Sequence, residues 1–253
     1  ADWREKSALE NPVEVDAYID ASAVPDGVVI GIDVGSTSTK AAVCSEAGKV
    51  LGGFYTRTAG RPVMAVQALF EAIDHWFSSR DGETRVLGVA TTGSGRKLAG
   101  KIVGADLVLD EISAHARAAV ELHPDVDTII EIGGQDSKFT ALKNRRVVFS
   151  RMNTVCAAGT GSFIEEQAAR LDVRISDFAD LALGSKAPLT SDRCTVFMER
   201  DINCFLGRDY SEAEILAATA HSVCENYLLK VASEAHIGSL IAFQGATAKN
   251  RAL

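Results

Sequence analysis

The chain has 253 residues, 47% of them hydrophobic, with 26 basic against 34 acidic side chains for a net charge of −8. That is enough apolar material for one or two cores, no apolar run reaches the roughly 20 residues of a membrane span, and the acidic balance argues against a nucleic-acid surface. Five cysteines, odd in number and far apart with no signal peptide ahead of them, speak against a disulfide framework; the reading is a cytoplasmic protein with thiolate chemistry open to it.

Residues 1–27 are polar and weakly patterned and end on the turn signal Pro25-Asp-Gly27, which predicts a linker or inter-domain tail. At Val28 a β-branched run begins that delivers Asp33 and then the turn Val34-Gly-Ser-Thr37. Strands follow over Thr39–Cys44 and Val50–Thr58, so this glycine turn lies in a hairpin and does not open a helix, which excludes a Rossmann or Walker arrangement. An amphipathic helix is expected over 62–78, a buried strand over Val86–Thr91 leading into Thr-Thr-Gly-Ser-Gly95, and a second helix over Ile112–Leu122. At Thr128 the theme restarts: Thr128-Ile-Ile-Glu-Ile-Gly-Gly-Gln-Asp-Ser-Lys138 repeats the first signature, with Glu131-Ile-Gly133 on Asp33-Val-Gly35. Helices over 162–171, 176–183 and 211–236 and a strand over Ser239–Gly245 complete the second half. The expected organisation is two similar α/β lobes, 28–111 and 112–253, with a nucleotide-sized cleft between them. Gly245-Ala-Thr-Ala-Lys-Asn250 reads as a helix start whose helix is missing after Leu253, so the second lobe is expected to be incomplete at its C-terminal end.

The repeated turns carry the chemistry. A carboxylate followed by free backbone N–H groups of Gly, Ser or Thr cradles phosphate oxygens and holds Mg²⁺ through water. Each feature has a plainer reading: glycines that serve tight hairpins, Asp33 and Glu131 as turn caps, Gln135 as a solvated amide. The duplication weighs against all three. Cys156-Ala-Ala-Gly-Thr-Gly161 runs straight into a helix, a position that favours thiolate, and Cys194 also precedes a helical run. Two thiolates are half of the four that an iron–sulfur cluster usually takes, so a two-fold dimer would complete a site; the alternative is that both are small buried hydrophobes. Cys44 and Cys224 read as core, Cys204 as turned away by its helix, and His115 as a helix-face hydrogen bond.

Gly31-Ile-Asp-Val-Gly-Ser-Thr-Ser-Thr-Lys40, Ala90-Thr-Thr-Gly-Ser-Gly-Arg96, Glu111-Ile-Ser-Ala-His-Ala116, Ile132-Gly-Gly-Gln-Asp-Ser-Lys138, Cys156-Ala-Ala-Gly-Thr-Gly161 and Cys194-Thr-Val-Phe197 together resemble the BadF/BadG/BcrA/BcrD ATPase family, the activators of 2-hydroxyacyl-CoA dehydratases and ATPase subunits of benzoyl-CoA reductases. The resemblance implies duplicated ribonuclease H-like lobes of the actin, Hsp70 and sugar kinase (ASKHA) superfamily. It further implies a homodimer with one ATP per subunit and a [4Fe–4S] cluster at the interface held by Cys156 and Cys194 of each chain, or a pair of tandem modules. ATP binding and hydrolysis would rotate the helices after these cysteines and drive a low-potential electron into an iron–sulfur dehydratase or reductase acting on an acyl-CoA. In that reading Asp33 holds Mg²⁺ through water, while Gly35, Ser36, Thr37, Thr39 and Lys40 of the first signature and Gly133, Gly134 and Gln135 of the second take the phosphates. Gln135 or Asp136 orients the attacking water, Glu111 links the lobes near the metal, and Gly245 approaches the adenosine.

Two positions depart from the family pattern: Glu131 stands where Asp is usual, and Ala246 follows Gly245 where a second Gly is usual. Two other functions stay open on these residues. A small-molecule, sugar-type kinase would use the same loops with Asp110 or Asp136 over a substrate hydroxyl; a non-catalytic nucleotide-sensing module would bind ATP without turnover.

Overall fold

A computed structural model describes residues 13–78, 82–153, 157–191, 194–233 and 235–253. The chain divides into two compact units, one ending at Ala114 and the other running from His115 to Leu253.

The first unit is built on strands β1 (Glu14–Ala17), β2 (Gly27–Val34), β3 (Ser38–Ser45), β4 (Val50–Arg57), β5 (Arg85–Thr92) and β6 (Leu107–Val108), in the order β1-β4-β3-β2-β5-β6. β2, β3 and β4 form an antiparallel meander, and β5 and β6 add in parallel beside β2. The period-2 alternation of β2 buries Val28, Ile30, Ile32 and Val34 on one face. There they meet Val66, Leu69 and Ile73 of helix α1 (Pro62–Phe77) and Ala99 of helix α2 (Arg96–Val103). Each of these larger side chains contributes about 1.5–3 kcal/mol by leaving water. Pro62 opens α1 at a position whose N–H has no helical acceptor to lose.

The leading segment is not all tail. Glu14–Ala17 pairs antiparallel with β4 as the sheet edge, Val15 opposite Phe54, and Val24 is buried in the core. All four residues of β1 are exposed, so backbone pairing alone places them and no apolar alternation announces them.

The second unit repeats the pattern. Strands β7 (Thr128–Ile132), β8 (Ser137–Lys143) and β9 (Arg146–Asn153) form an antiparallel meander, and β10 (Ile241–Gln244) lies parallel to β7. One sheet face packs on helix α3 (Glu111–Leu122) through Ile129, Leu142, Ala116, Ala119 and Val120. The other places Ile132 and Phe139 against α4 (Gly161–Arg170), α5 (Ile175–Ala182), α6 (Thr195–Leu206) and α7 (Glu212–Lys230), with Phe163, Phe178, Met198, Leu216 and Tyr227 at the centre. α7 begins with a reciprocal cap in which Ser211 accepts from the Glu214 N–H and the Glu214 carboxylate accepts from Ser211.

Candidate nucleotide-binding turns and the Cys194 helix

Both hairpin turns are closed by the same bond. The Gly35 N–H donates to the Ser38 carbonyl at 3.0 Å and the Gly133 N–H to the Asp136 carbonyl at 2.8 Å. Across each hairpin a carboxylate faces a lysine in register, Asp33 opposite Lys40 and Glu131 opposite Lys138. A positive-φ glycine follows the parallel strand of each unit. Gly93 has φ +84° and Gly245 φ +103°, and a Cβ on either would collide with the carbonyl group of the residue after the acid, Val34 or Ile132. Only glycine lets the backbone approach so closely.

The two acids live in different surroundings. Lys40 Nζ lies 3.2 Å from Asp33, and the side chains are 49% and 26% exposed. Asp33, Lys40, Gly31, Ala42, Ala90 and Thr92 line an open cavity of about 290 Å³ in the first unit, and the buried Thr92 hydroxyl has no hydrogen-bond partner. A carboxylate at a half-exposed edge beside an unsatisfied hydroxyl suits hydrated Mg²⁺ and phosphate oxygens. Ser36 and Thr37 sit at the turn tip. Thr39, expected among the phosphate contacts, is fully buried and its hydroxyl pairs with that of Thr58 at 2.9 Å. The Thr58 hydroxyl also donates to the Gly35 carbonyl at 2.8 Å, so this pair fastens the turn from behind. Glu111 stands in the first turn of α3, where Asp110 accepts from the Ser113 N–H at 2.9 Å.

Glu131, by contrast, is 6% exposed and held by its own chain. Its carboxylate meets His115 Nδ1 at 2.5 Å, Lys138 Nζ at 2.9 Å and Gln244 Nε2 at 3.0 Å. Burial alone would push the carboxyl up, but the His115 ring and the Lys138 ammonium outweigh it and hold it at about 2 against an ordinary 4.5. Burial likewise works against the lysine's charge, and Glu131 and Asp136 overcome it, holding Lys138 above the usual lysine range. Lys138 also reaches Asp136 Oδ1 at 2.9 Å, fixing that side chain beside Gln135 at the turn tip. Gly134 accepts from the Ser162 N–H and hydroxyl at the head of α4. Gly245 ends β10 against Gly133, and Thr247 donates to the Ile132 carbonyl at 3.0 Å.

Cys194 caps the N-terminus of α6 with extended backbone, φ −150° and ψ 163°, and its carbonyl accepts the N–H groups of Phe197 and Met198. Its thiol is free and half-buried at the N-terminal end of the helix. Cys156 lies outside the described residues. Among the described residues no group of three or more His, Cys, Asp or Glu could hold a metal. Burial raises the Cys44 and Cys224 thiols above their ordinary value, and Cys204 is exposed.

Lys138, Gln244, Thr58 and Thr92 escaped the reading of the sequence. Lys138 had a signal there, since it follows Glu131 at the spacing by which Lys40 follows Asp33, and Thr92 stands in the motif Ala90-Thr-Thr-Gly-Ser-Gly-Arg96.

The model of the BadF/BadG/BcrA/BcrD ATPase family matches residues 30–253. The chain belongs to this family. Among relatives, the (R)-2-hydroxyglutaryl-CoA dehydratase activating ATPase of Acidaminococcus fermentans is 30% identical over 222 residues, 87% of this chain and 83% of that protein. The activator of lactoyl-CoA dehydratase of Anaerotignum propionicum is 32% identical over 230 residues, again 87% and 83% of the two chains. Among solved structures, the activator of the 2-hydroxyisocaproyl-CoA dehydratase from Clostridium difficile, with bound ADPNP, superposes with a TM-score of 0.78 at 27% identity, covering 89% of this chain and 82% of that one. The ethanolamine utilization protein EutJ from Carboxydothermus hydrogenoformans, at 13% identity and a TM-score of 0.57, covering 90% and 80%, shares the fold alone. Within the chain the two units repeat one α/β pattern, an antiparallel three-stranded meander with a strand added in parallel beside its first strand. No helix among its described residues is long and apolar enough to cross a membrane.

Proposed function

We propose that this chain is an ATP-dependent activator of an acyl-CoA dehydratase or related reductase. It binds and hydrolyses ATP with Mg²⁺ and so would drive a low-potential electron, supplied by a reduced [4Fe–4S] cluster, into its iron–sulfur partner. The observation that carries the reading is membership of the ATPase family over residues 30–253. The dehydratase activators of A. fermentans and C. difficile, each alike over most of this chain, support the partner class.

Asp33, loosely paired with Lys40, would hold hydrated Mg²⁺. The N–H groups of the turn Gly35–Thr37, with Ser36 and Lys40 beside it, and of Gly133–Gln135 take β- and γ-phosphate oxygens. Asp136, braced by Lys138, and Gln135 orient the attacking water, and Gly245 leaves room for the nucleoside. Cys156 and Cys194 of two copies, or of one copy and a tandem module, would hold a [4Fe–4S] cluster, which would supply one-electron transfer at low potential.

Anaerobic purification with iron and acid-labile sulfide analysis, beside Cys156→Ala and Cys194→Ala, tests this. About four irons per pair of chains, lost in either variant, is the expected result. ATP bound without iron after anaerobic reconstitution would identify a nucleotide-sensing module instead, and phosphorylation of a small molecule would identify a kinase.

A further inference from the structure

Arg170, the last residue of α4, joins two helices that each begin beside a cysteine in the sequence. Its Nη1 lies 2.5 Å from Glu199 Oε1, and its Nη2 donates to Asn203 Oδ1 at 3.1 Å. Glu199 and Asn203 are four apart and share one face of α6. At the other end of α4, the Gly161 N–H donates to the Gly133 carbonyl at 2.8 Å and the Ser162 N–H to the Gly134 carbonyl at 2.7 Å. The second glycine turn is therefore bonded directly to the head of α4.

α4 buries Phe163, Ile164, Gln167 and Ala168 over its ten residues, about 15 Å of helix, in one continuous packed element. On α6, Asp201 accepts from the Ser191 N–H at 2.8 Å, which ties Ser191 to the body of that helix. Every link from the turn to Cys194 is thus a hydrogen bond, an ion pair or a packed helix. Among the described residues, Arg170 is the polar link between α4 and α6.

We propose that Arg170 is a positioning residue that relays phosphate occupancy of the Gly133–Asp136 turn to Cys194. Phosphate on the turn shifts Gly133 and Gly134, α4 follows through Gly161 and Ser162, and Arg170 carries the displacement to α6. This rests on the reading that the turn binds ATP and that Cys194 belongs to the functional site. A packing role alone does not require this link, because a half-exposed ion pair contributes little to stability.

The test uses the full chain, free of iron and kept anaerobic. It is pulsed with iodoacetamide with and without ATP and Mg²⁺, and alkylation of Cys194 is followed by peptide mass spectrometry. Cys204, exposed on the same helix, is the internal reference. Nucleotide affinity is titrated separately. The expected result is a nucleotide-dependent change of about fivefold in the Cys194 rate. Arg170→Ala should abolish that change while keeping nucleotide affinity and thermal stability, and Arg170→Glu combined with Glu199→Arg should restore it. Retention of the full change in Arg170→Ala would overturn the proposal, as would nucleotide binding that leaves the wild-type Cys194 rate unaltered. A wild-type chain that binds no nucleotide would be seen in the titration itself and would overturn the functional reading together with this one.

Discussion

Lys138→Met removes a cation that is 3% exposed and leaves Glu131, 6% exposed, to face His115 and Gln244 alone. Lowering of the Glu131 carboxyl from 4.5 to about 2 corresponds to about 3 kcal/mol of native-state stabilisation. Because the folded value lies below the unfolded one, that contribution is complete above pH 4.5 and is lost as pH falls toward about 2. Breaking a buried pair by deleting one partner costs about 3–5 kcal/mol, and the two surviving donors place Lys138→Met near the lower figure, about 3 kcal/mol at pH 7. Its further loss of stability between pH 4.5 and about 2 should be smaller than in the wild type, because without the lysine the folded Glu131 carboxyl lies closer to its unfolded value and less of its contribution remains to be lost. Urea unfolding followed by circular dichroism measures the loss, and hydrogen exchange of peptides over 128–143 localises it to β7 and β8. In a Glu131→Gln background the same lysine substitution should cost less than half as much, because no buried charge is stranded. The reasoning is refuted if Lys138→Met lies within about 0.5 kcal/mol of wild type, or if its full cost persists beside Glu131→Gln.

Asp33→Asn should leave stability within about 0.5 kcal/mol, since the Lys40 pair is half-exposed, but should weaken Mg²⁺-dependent ATP binding about tenfold. Titration calorimetry in Mg²⁺ and in EDTA checks this, and equal Mg²⁺-dependent affinities would remove Asp33 from the metal. Gly245→Ala places a methyl group against the Ile132 carbonyl at a φ of +103°. It should cost about 2–3 kcal/mol in urea unfolding, and a loss below about 1 kcal/mol would show that the backbone there relaxes freely.

The sequence by itself determined what depends on near neighbours. The alternation of Val28, Ile30, Ile32 and Val34 makes β2 a strand with one buried face. The spacing from Asp33 to Gly35, repeated from Glu131 to Gly133, makes both turns hairpins, since turn chemistry is decided within a few residues. Pro62 marks the start of α1 for the same local reason.

Only the tertiary structure decided which groups meet across the chain. The two acids read alike in sequence, yet Asp33 faces an open cavity while Glu131 is gripped by His115 of α3, Lys138 of β8 and Gln244 of β10. Thr39 is legible as a phosphate contact until Thr58, nineteen residues on, takes its hydroxyl behind the turn. β1 joins the sheet with no apolar signal of its own. Local propensity chooses strand, helix or turn from the adjacent residues, but burial, charge pairing and hydroxyl satisfaction are set by elements brought together only when the sheets and helices pack.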